Sequence, residues 1–217
     1  MKIGKIVAIV AVIIVVVIGG GAAYLASLDM DTYRPEIAKA AKDATGRTLK
    51  LEGTLSLAVS LTPTVSGEGI SFANATWGSR PQMLTLRRFE VQLSLIPLLF
   101  GDIQINRLIL IEPDILMETD KNGKGNWVFD EAAAAKSETE AADEGAGAIP
   151  HIGELQIKNG LLTYNDGVSG ETIKVKLTSI EADAASTSDP LNFVVQAAYN
   201  DMPVKLKGKA GPLKNAM

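Results

Sequence analysis

Cysteine is absent from this 217-residue chain, and histidine occurs once, at His151. No disulfide staple, thiol nucleophile or thiolate metal site is possible. A single histidine leaves no set of partners for a Ser-His-Asp triad and no ordinary zinc site. His151, close to Pro150 and Gly153, reads as a structural or solvent-facing residue at a strand entry. Aromatics are also scarce, at 5 Phe, 4 Tyr and 2 Trp, so the apolar content is mostly Leu, Ile, Val and Ala. Charge is nearly balanced, with 21 basic against 25 acidic residues for a net of −4. No basic patch suggests nucleic acid as a partner. No catalytic residues, cofactor or metal ligands emerge.

What the chain does have begins at its N-terminus. Lys2 and Lys5 precede an uncharged apolar run from Ile6 to Leu28, which Asp29 ends. About 20 apolar residues at a rise of roughly 1.5 Å cross a bilayer core. Residues 1–28 are therefore expected to form a transmembrane anchor. The flanking lysines keep the N-terminus cytoplasmic and send the bulk across the membrane. A cleaved signal peptide, with Ala23 to Ala26 at its cleavage site, is the competing reading, and it too exports the rest.

Residues 33–44 predict one short helix, with Tyr33, Ile37, Ala40, Ala41 and Ala44 on one face. Asp31 or Thr32 would cap its start, Pro35 is tolerable in its first turn, and Gly46 suits a left-handed end. From Leu49 the period falls to two. Leu49, Leu51, Leu55, Leu57, Val59 and Leu61 share one face, with Lys50, Glu52, Thr54, Ser56, Ala58 and Ser60 on the other. A single strand from Leu49 to Leu61 would extend roughly 43 Å. Alternation continues through Leu84 and Leu86, then changes phase at Arg87-Arg88, as a bulge would cause, before Phe89, Val91 and Leu93. Ile103–Leu110 and Leu155–Leu162 look like weak copies, kinked at Asn106-Arg107 and Asn159-Gly160. Asn165-Asp166-Gly167 marks a hairpin turn. The organisation expected is an anchor (1–28), a helix plus β unit (29–130), an acidic Ala-rich linker (131–148) and a second β unit (149–217). The fold class is mainly β: a transmembrane helix and one short helix, then a long antiparallel sheet, open or groove-forming.

Asp120-x-Asn122-x-Lys124-Gly125 with Glu131 partly matches a calcium loop, but Lys124 puts a cation where an oxygen ligand is needed, and a β-turn is the better reading. Asn74-Ala75-Thr76 has the form of a glycosylation acceptor. The aliphatic face is the remaining feature. It is either the core of a closed β sandwich or an open trough for acyl chains. Strand length, aliphatic composition and the shortage of covering helices favour the trough, with Leu49, Leu51, Leu55, Leu57, Val59 and Leu61 as its lining.

The ordered set of Tyr33-Arg34-Pro35-Glu36-Ile37, Thr45-Gly46-Arg47, Leu49-Lys50-Leu51-Glu52-Gly53, Leu61-Thr62-Pro63, Leu95-Ile96-Pro97-Leu98-Leu99, Glu112-Pro113-Asp114-Ile115 and Gly125-Asn126-Trp127 resembles the N-terminal region of the AsmA family of bacterial envelope proteins. The likeness is closest over 1–130 and looser over 149–217. It implies an inner-membrane anchor, a periplasmic β-rich body and a non-enzymatic role in outer-membrane biogenesis. The family is similar in plan to chorein-type bridge-like lipid-transfer proteins. Phospholipids and outer-membrane assembly components are thus the implied partners, with lipid handling the first reading and a scaffold for outer-membrane proteins the second. Family members usually run to several hundred residues, so this chain is expected to be a short paralogue, part of a longer protein, or a unit that assembles with others.

Overall fold

The computed structural model describes residues 29–99, 104–129, 152–186 and 188–212. The anchor of residues 1–28, the linker of residues 131–148, and His151 lie outside them. Among the described residues no helix is long and apolar enough to cross a membrane.

A 3-10 turn, Met30–Tyr33, leads into the helix α1, Arg34–Thr45. Ten strands follow: β1 Leu49–Leu51, β2 Leu55–Ala58, β3 Thr64–Ala73, β4 Gln82–Leu93, β5 Ile105–Ile111, β6 Asp114–Glu118, β7 Ile152–Asn165, β8 Thr172–Asp183, β9 Pro190–Tyr199 and β10 Met202–Pro212. A short helix α2, Leu95–Leu99, sits between β4 and β5. All ten strands form one sheet, ordered β1-β3-β4-β5-β7-β8-β9-β10, with β2 beside β3, and β6 between β4 and β7. β1 and β10 do not pair with each other, so the sheet is open. Pairing is antiparallel except that β7 runs parallel to β5 and β6. The β1–β6 and β7–β10 groups are therefore hydrogen-bonded into a single sheet.

Three sequence expectations need correction or extension. Leu49–Leu61 is not one strand: it is β1 and β2, broken around Gly53. A Cβ on Gly53 would lie 2.7 Å from the Glu68 side chain and carbonyl, so β3 approaches too closely there for any side chain. The chain also leaves the sheet after Ala58, where the Ser60 hydroxyl accepts the Thr62 N–H at 3.1 Å in the turn into β3. Second, the kink expected at Asn106-Arg107 is present as a shift in the β4–β5 register, where Arg107 pairs with Gln92 and Ile105 with Leu93, leaving Asn106 without a partner in β4; a further one, not expected, falls at Glu112-Pro113, where Glu112 has φ 52°. Third, α1 shelters Arg34, Ala38, Ala41 and Thr45, while Tyr33 and Ile37 are exposed. Neither Asp31 nor Thr32 caps it: Tyr33 holds the cap position without a side-chain bond, and the Asp29 side chain caps the preceding 3-10 turn. Gly46 ends the helix at φ 72°, as expected.

The rotation of α1 has an electrostatic cause. The Arg34 guanidinium donates to the backbone carbonyls of Leu51 (2.9 Å), Glu52 (3.4 Å) and Gly53 (2.5 Å), and pairs with Asp31 at 2.7 Å. Asp31 in turn accepts the Leu55 N–H at 3.1 Å. Arg34 holds the Asp31 carboxyl below its ordinary range, and the Leu55 N–H adds to the effect. This pair satisfies edge groups where β1 gives way to β2, and edge strands commonly need such cover.

Candidate functional site

The sheet carries its apolar side chains on one face, and the strand register shows how. Residues paired across strands point to the same side. One row reads Leu57, Val65, Val91, Leu108, Leu155, Ala182, Phe193, Gly208 across eight strands. A second reads Leu55, Gly67, Phe89, Leu110, Ile157, Ile180, Val195, Leu206. A third, further along the strands, reads Leu49, Phe72, Leu84, Ile115, Leu162, Val175, Tyr199, Met202.

In β9, Phe193, Val195 and Tyr199 alternate without interruption, so all three rows lie on one face. The inner strands reach the same result by slipping one residue together. Gly69 in β3 (φ 61°), Arg87 in β4, Glu112 between β5 and β6 (φ 52°), Asn159 in β7 (φ 55°) and Thr178 in β8 form a line across the sheet, and none has a paired partner. Register is preserved across that line from β3 to β8. It shifts between β8 and β9, where the line ends. Each irregular residue restores its strand's apolar side chains to the common face, and aligned bulges are also a device that curves a sheet.

The opposite face is polar and self-paired. One of its rows runs Ser56, Ser66, Glu90, Ile109, Gln156, Glu181, Val194, Lys207. Arg88 bridges Glu68 and Glu90, Arg87 pairs with Glu112, and Arg107 with Glu154. Hydrogen bonds from Gln156 and then Arg107 hold Glu154 below the usual carboxylate range.

No second layer covers the apolar face among the described residues. The buried aliphatic side chains there are few: Leu55, Ile70, Leu86 and Leu177, while Leu116, next to Ile115 in β6, is buried on the opposite side. Leu57, Val91, Leu108, Leu155 and Phe193 remain half-buried, and at the β10 edge Leu206 is 54% exposed. Of the residues singled out from sequence, Leu49, Leu51, Leu55 and Leu57 stand on this face. Val59 lies beyond the end of β2, and Leu61 is 80% exposed in the turn. The larger part of the face, contributed by β4, β5, β7, β8 and β9, was visible only as alternation with a change of phase.

One end of the sheet is fastened by a buried polar cluster. Asn126, fully buried, donates to Asn74 Oδ1 (3.0 Å) and the Leu116 carbonyl (2.9 Å) and accepts the Glu118 N–H (3.1 Å). Glu118 Oε1 accepts from Asn74 Nδ2 (2.6 Å) and the Ser79 N–H (2.9 Å). Burial pushes the Glu118 carboxyl up, but hydrogen bonds from Ser79 and Asn74 outweigh it and hold it below its ordinary value. Asn74 is thus a buried structural residue, not an accessible glycan acceptor. At the calcium-like turn, Asp120 Oδ1 accepts the backbone N–H of Asn122 (2.8 Å) and of Lys124 (2.9 Å), which is turn chemistry.

An open, single-layer sheet with one aliphatic and one charged face is the architecture of a chain that presents an apolar surface. The AsmA family model matches residues 1–210, and the chain belongs to that family. Comparison with individual curated proteins gives no match.

Proposed function

We propose that this chain is a non-enzymatic envelope-biogenesis protein whose apolar face carries phospholipid acyl chains. In this reading it is anchored in the inner membrane by residues 1–28, with its body in the periplasm. The observation that carries the proposal is the set of aliphatic rows, eight strands wide, left half-exposed on one face. An exposed apolar surface of that extent calls for a partner. A hydrocarbon chain suits it because the rows offer almost no polar group to recognise, the Tyr199 hydroxyl at the sheet's end aside, and are built from aliphatic and phenyl side chains. An acyl chain stripped into water loses about 0.8 kcal/mol per CH₂. On Leu, Ile and Val side chains it meets an environment as apolar as lipid, so the step from bilayer to sheet is nearly neutral. That balance suits passage more than storage. AsmA membership points the same way, toward envelope biogenesis or lipid transport in general.

The test is lipid recovery from purified full-length chain. Wild type is expected to carry phospholipid on mass analysis. Leu108→Asp or Leu155→Asp, each placing a charge beside hydrocarbon, should lose most of it, while Lys158→Asp on the opposite face should keep it. Equal recovery from all variants, or none from wild type, would overturn the proposal. Protein partners captured at the same positions would then favour the scaffold for outer-membrane proteins.

A further inference from the structure

The turn-bearing end of the sheet next to the Leu49–Met202 row has its own chemistry. β3 ends there and β4 begins; β6 and β7 end there; β8 begins; β9 ends and β10 begins. Each turn puts an apolar residue outward: Trp77 between β3 and β4, Trp127, Val128 and Phe129 after β6, Val168 between β7 and β8, and Met202 at the start of β10. Both tryptophans of the chain are on this rim, at 39% and 38% exposure, while Val168 reaches 67% and Met202 62%. A cleft of about 340 Å³ opens among them, lined by Arg47, Trp77, Lys124 and Val128 and by no carboxylate.

Most acids at this end are engaged by hydrogen bonds or an ion pair. Asp120 accepts its own loop's N–H groups, Asp166 accepts those of Val168 (2.8 Å) and Ser169 (3.2 Å), Asp201 pairs with Lys176 (2.6 Å) and Glu118 is buried. Of the exposed acids, Asp201 is taken up by Lys176, and Glu171 stands against Lys121 and Lys124 on the neighbouring loop. Separate turns presenting tryptophan and aliphatic tips at one end of the sheet, flanked by cations, match the composition that proteins place at a membrane–water interface. The rim is also continuous with the apolar face, because the Phe129 ring meets Phe72 edge-on at 6.0 Å and Phe72 belongs to the Leu49 row.

We propose that this rim docks on a lipid bilayer, its tips entering the interfacial layer so that acyl chains pass directly between bilayer and sheet. The inference rests on the apolar face being a lipid path, and it adds where lipid enters or leaves. The test uses full-length chain held in phosphatidylcholine nanodiscs. Vesicles of phosphatidylethanolamine and phosphatidylglycerol with brominated acyl chains are then added, and in a second arm the brominated lipid is placed in the disc instead. With both tryptophans on the rim, quenching of intrinsic fluorescence reports insertion there without a label. Quenching from either bilayer is expected, and the two arms show which one. Val168→Asp should weaken the lipid dependence about tenfold, equivalent to about 1.4 kcal/mol, with unchanged circular dichroism. Ser56→Asp, on the polar face, should leave it unchanged. Absence of quenching in both arms, or quenching indifferent to Val168→Asp, overturns the docking. Lipid recovery from the same samples keeps the two proposals apart: recovered lipid without quenching sinks only the rim, and quenching without recovered lipid sinks only the lipid-carrying face.

Discussion

Asn126→Asp changes almost no volume, yet it strikes the cluster that pins residues 119–129 to the sheet. Asn126 donates two hydrogen bonds, to Asn74 Oδ1 at 3.0 Å and to the Leu116 carbonyl at 2.9 Å, in a site with no solvent exposure. A carboxylate donates neither. Two acceptors would then face an oxygen, and each unsatisfied buried group costs about 1–3 kcal/mol. The bond accepted from the Glu118 N–H survives, but a new negative charge arises beside the Glu118 carboxylate. A loss of at least about 3 kcal/mol is expected at neutral pH, a large part of the roughly 5–15 kcal/mol that holds a typical domain together. The introduced carboxyl should have a folded pKa raised above its unfolded value, since its neutral form donates one of the lost bonds and avoids the buried charge. The deficit should therefore shrink as pH falls through that raised pKa. Urea unfolding followed by tryptophan fluorescence measures both effects, Trp127 being the next residue along. A variant within about 0.5 kcal/mol of wild type at neutral pH would refute the cluster's role, that being the range of an ordinary surface change.

Glu118→Gln should flatten the acid limb of stability. The folded pKa of Glu118 lies below its unfolded value, so its ionised form stabilises the protein above the unfolded value, and that contribution disappears as pH falls through the folded one. Urea midpoints of wild type and variant should converge at low pH. Arg34→Lys should destabilise by about 1–3 kcal/mol, because a lysine cannot span three carbonyls and Asp31 at once; hydrogen exchange at the Leu55 amide should rise with it, and unchanged exchange would count against the edge cover. At Asn159, with φ 55°, substitution by Gly should be nearly neutral and by Val should cost about 1–2 kcal/mol or more, read from thermal unfolding.

The face was legible wherever alternation was clean. Leu49, Leu51, Leu55 and Leu57 were assignable by parity alone, and the change of phase at Arg87-Arg88 signalled a bulge from one strand's pattern. The alignment of Arg87 with Gly69, Glu112, Asn159 and Thr178 was not legible, because register is a property of pairs of strands. The break at Gly53 was hidden for a related reason: a glycine on the apolar phase does not interrupt a period of two, and only the approach of Glu68 shows why no side chain fits. Apolar pattern misplaces the face of α1 because Tyr33 and Ile37 outweigh alanine in it, whereas the helix is oriented by Arg34 reaching edge carbonyls. The Asn74–Asn126–Glu118 cluster had no sequence signal beyond Asn126 standing in the Gly125-Asn126-Trp127 motif. Its members are 44 and 52 residues apart in the pairs Asn74–Glu118 and Asn74–Asn126.

The central claim is that one continuous face, carried across a line of bulges, contacts lipid. Photo-crosslinking in cells from successive positions of β4, with mass analysis of the adducts, tests it most directly. Phospholipid adducts are expected at Leu84, Leu86, Phe89 and Val91, and not at Thr85, Glu90 or Gln92. The productive positions should thus change from even to odd at Arg87. Adducts that keep one parity throughout, occur on both faces, or contain protein in place of lipid would contradict the account.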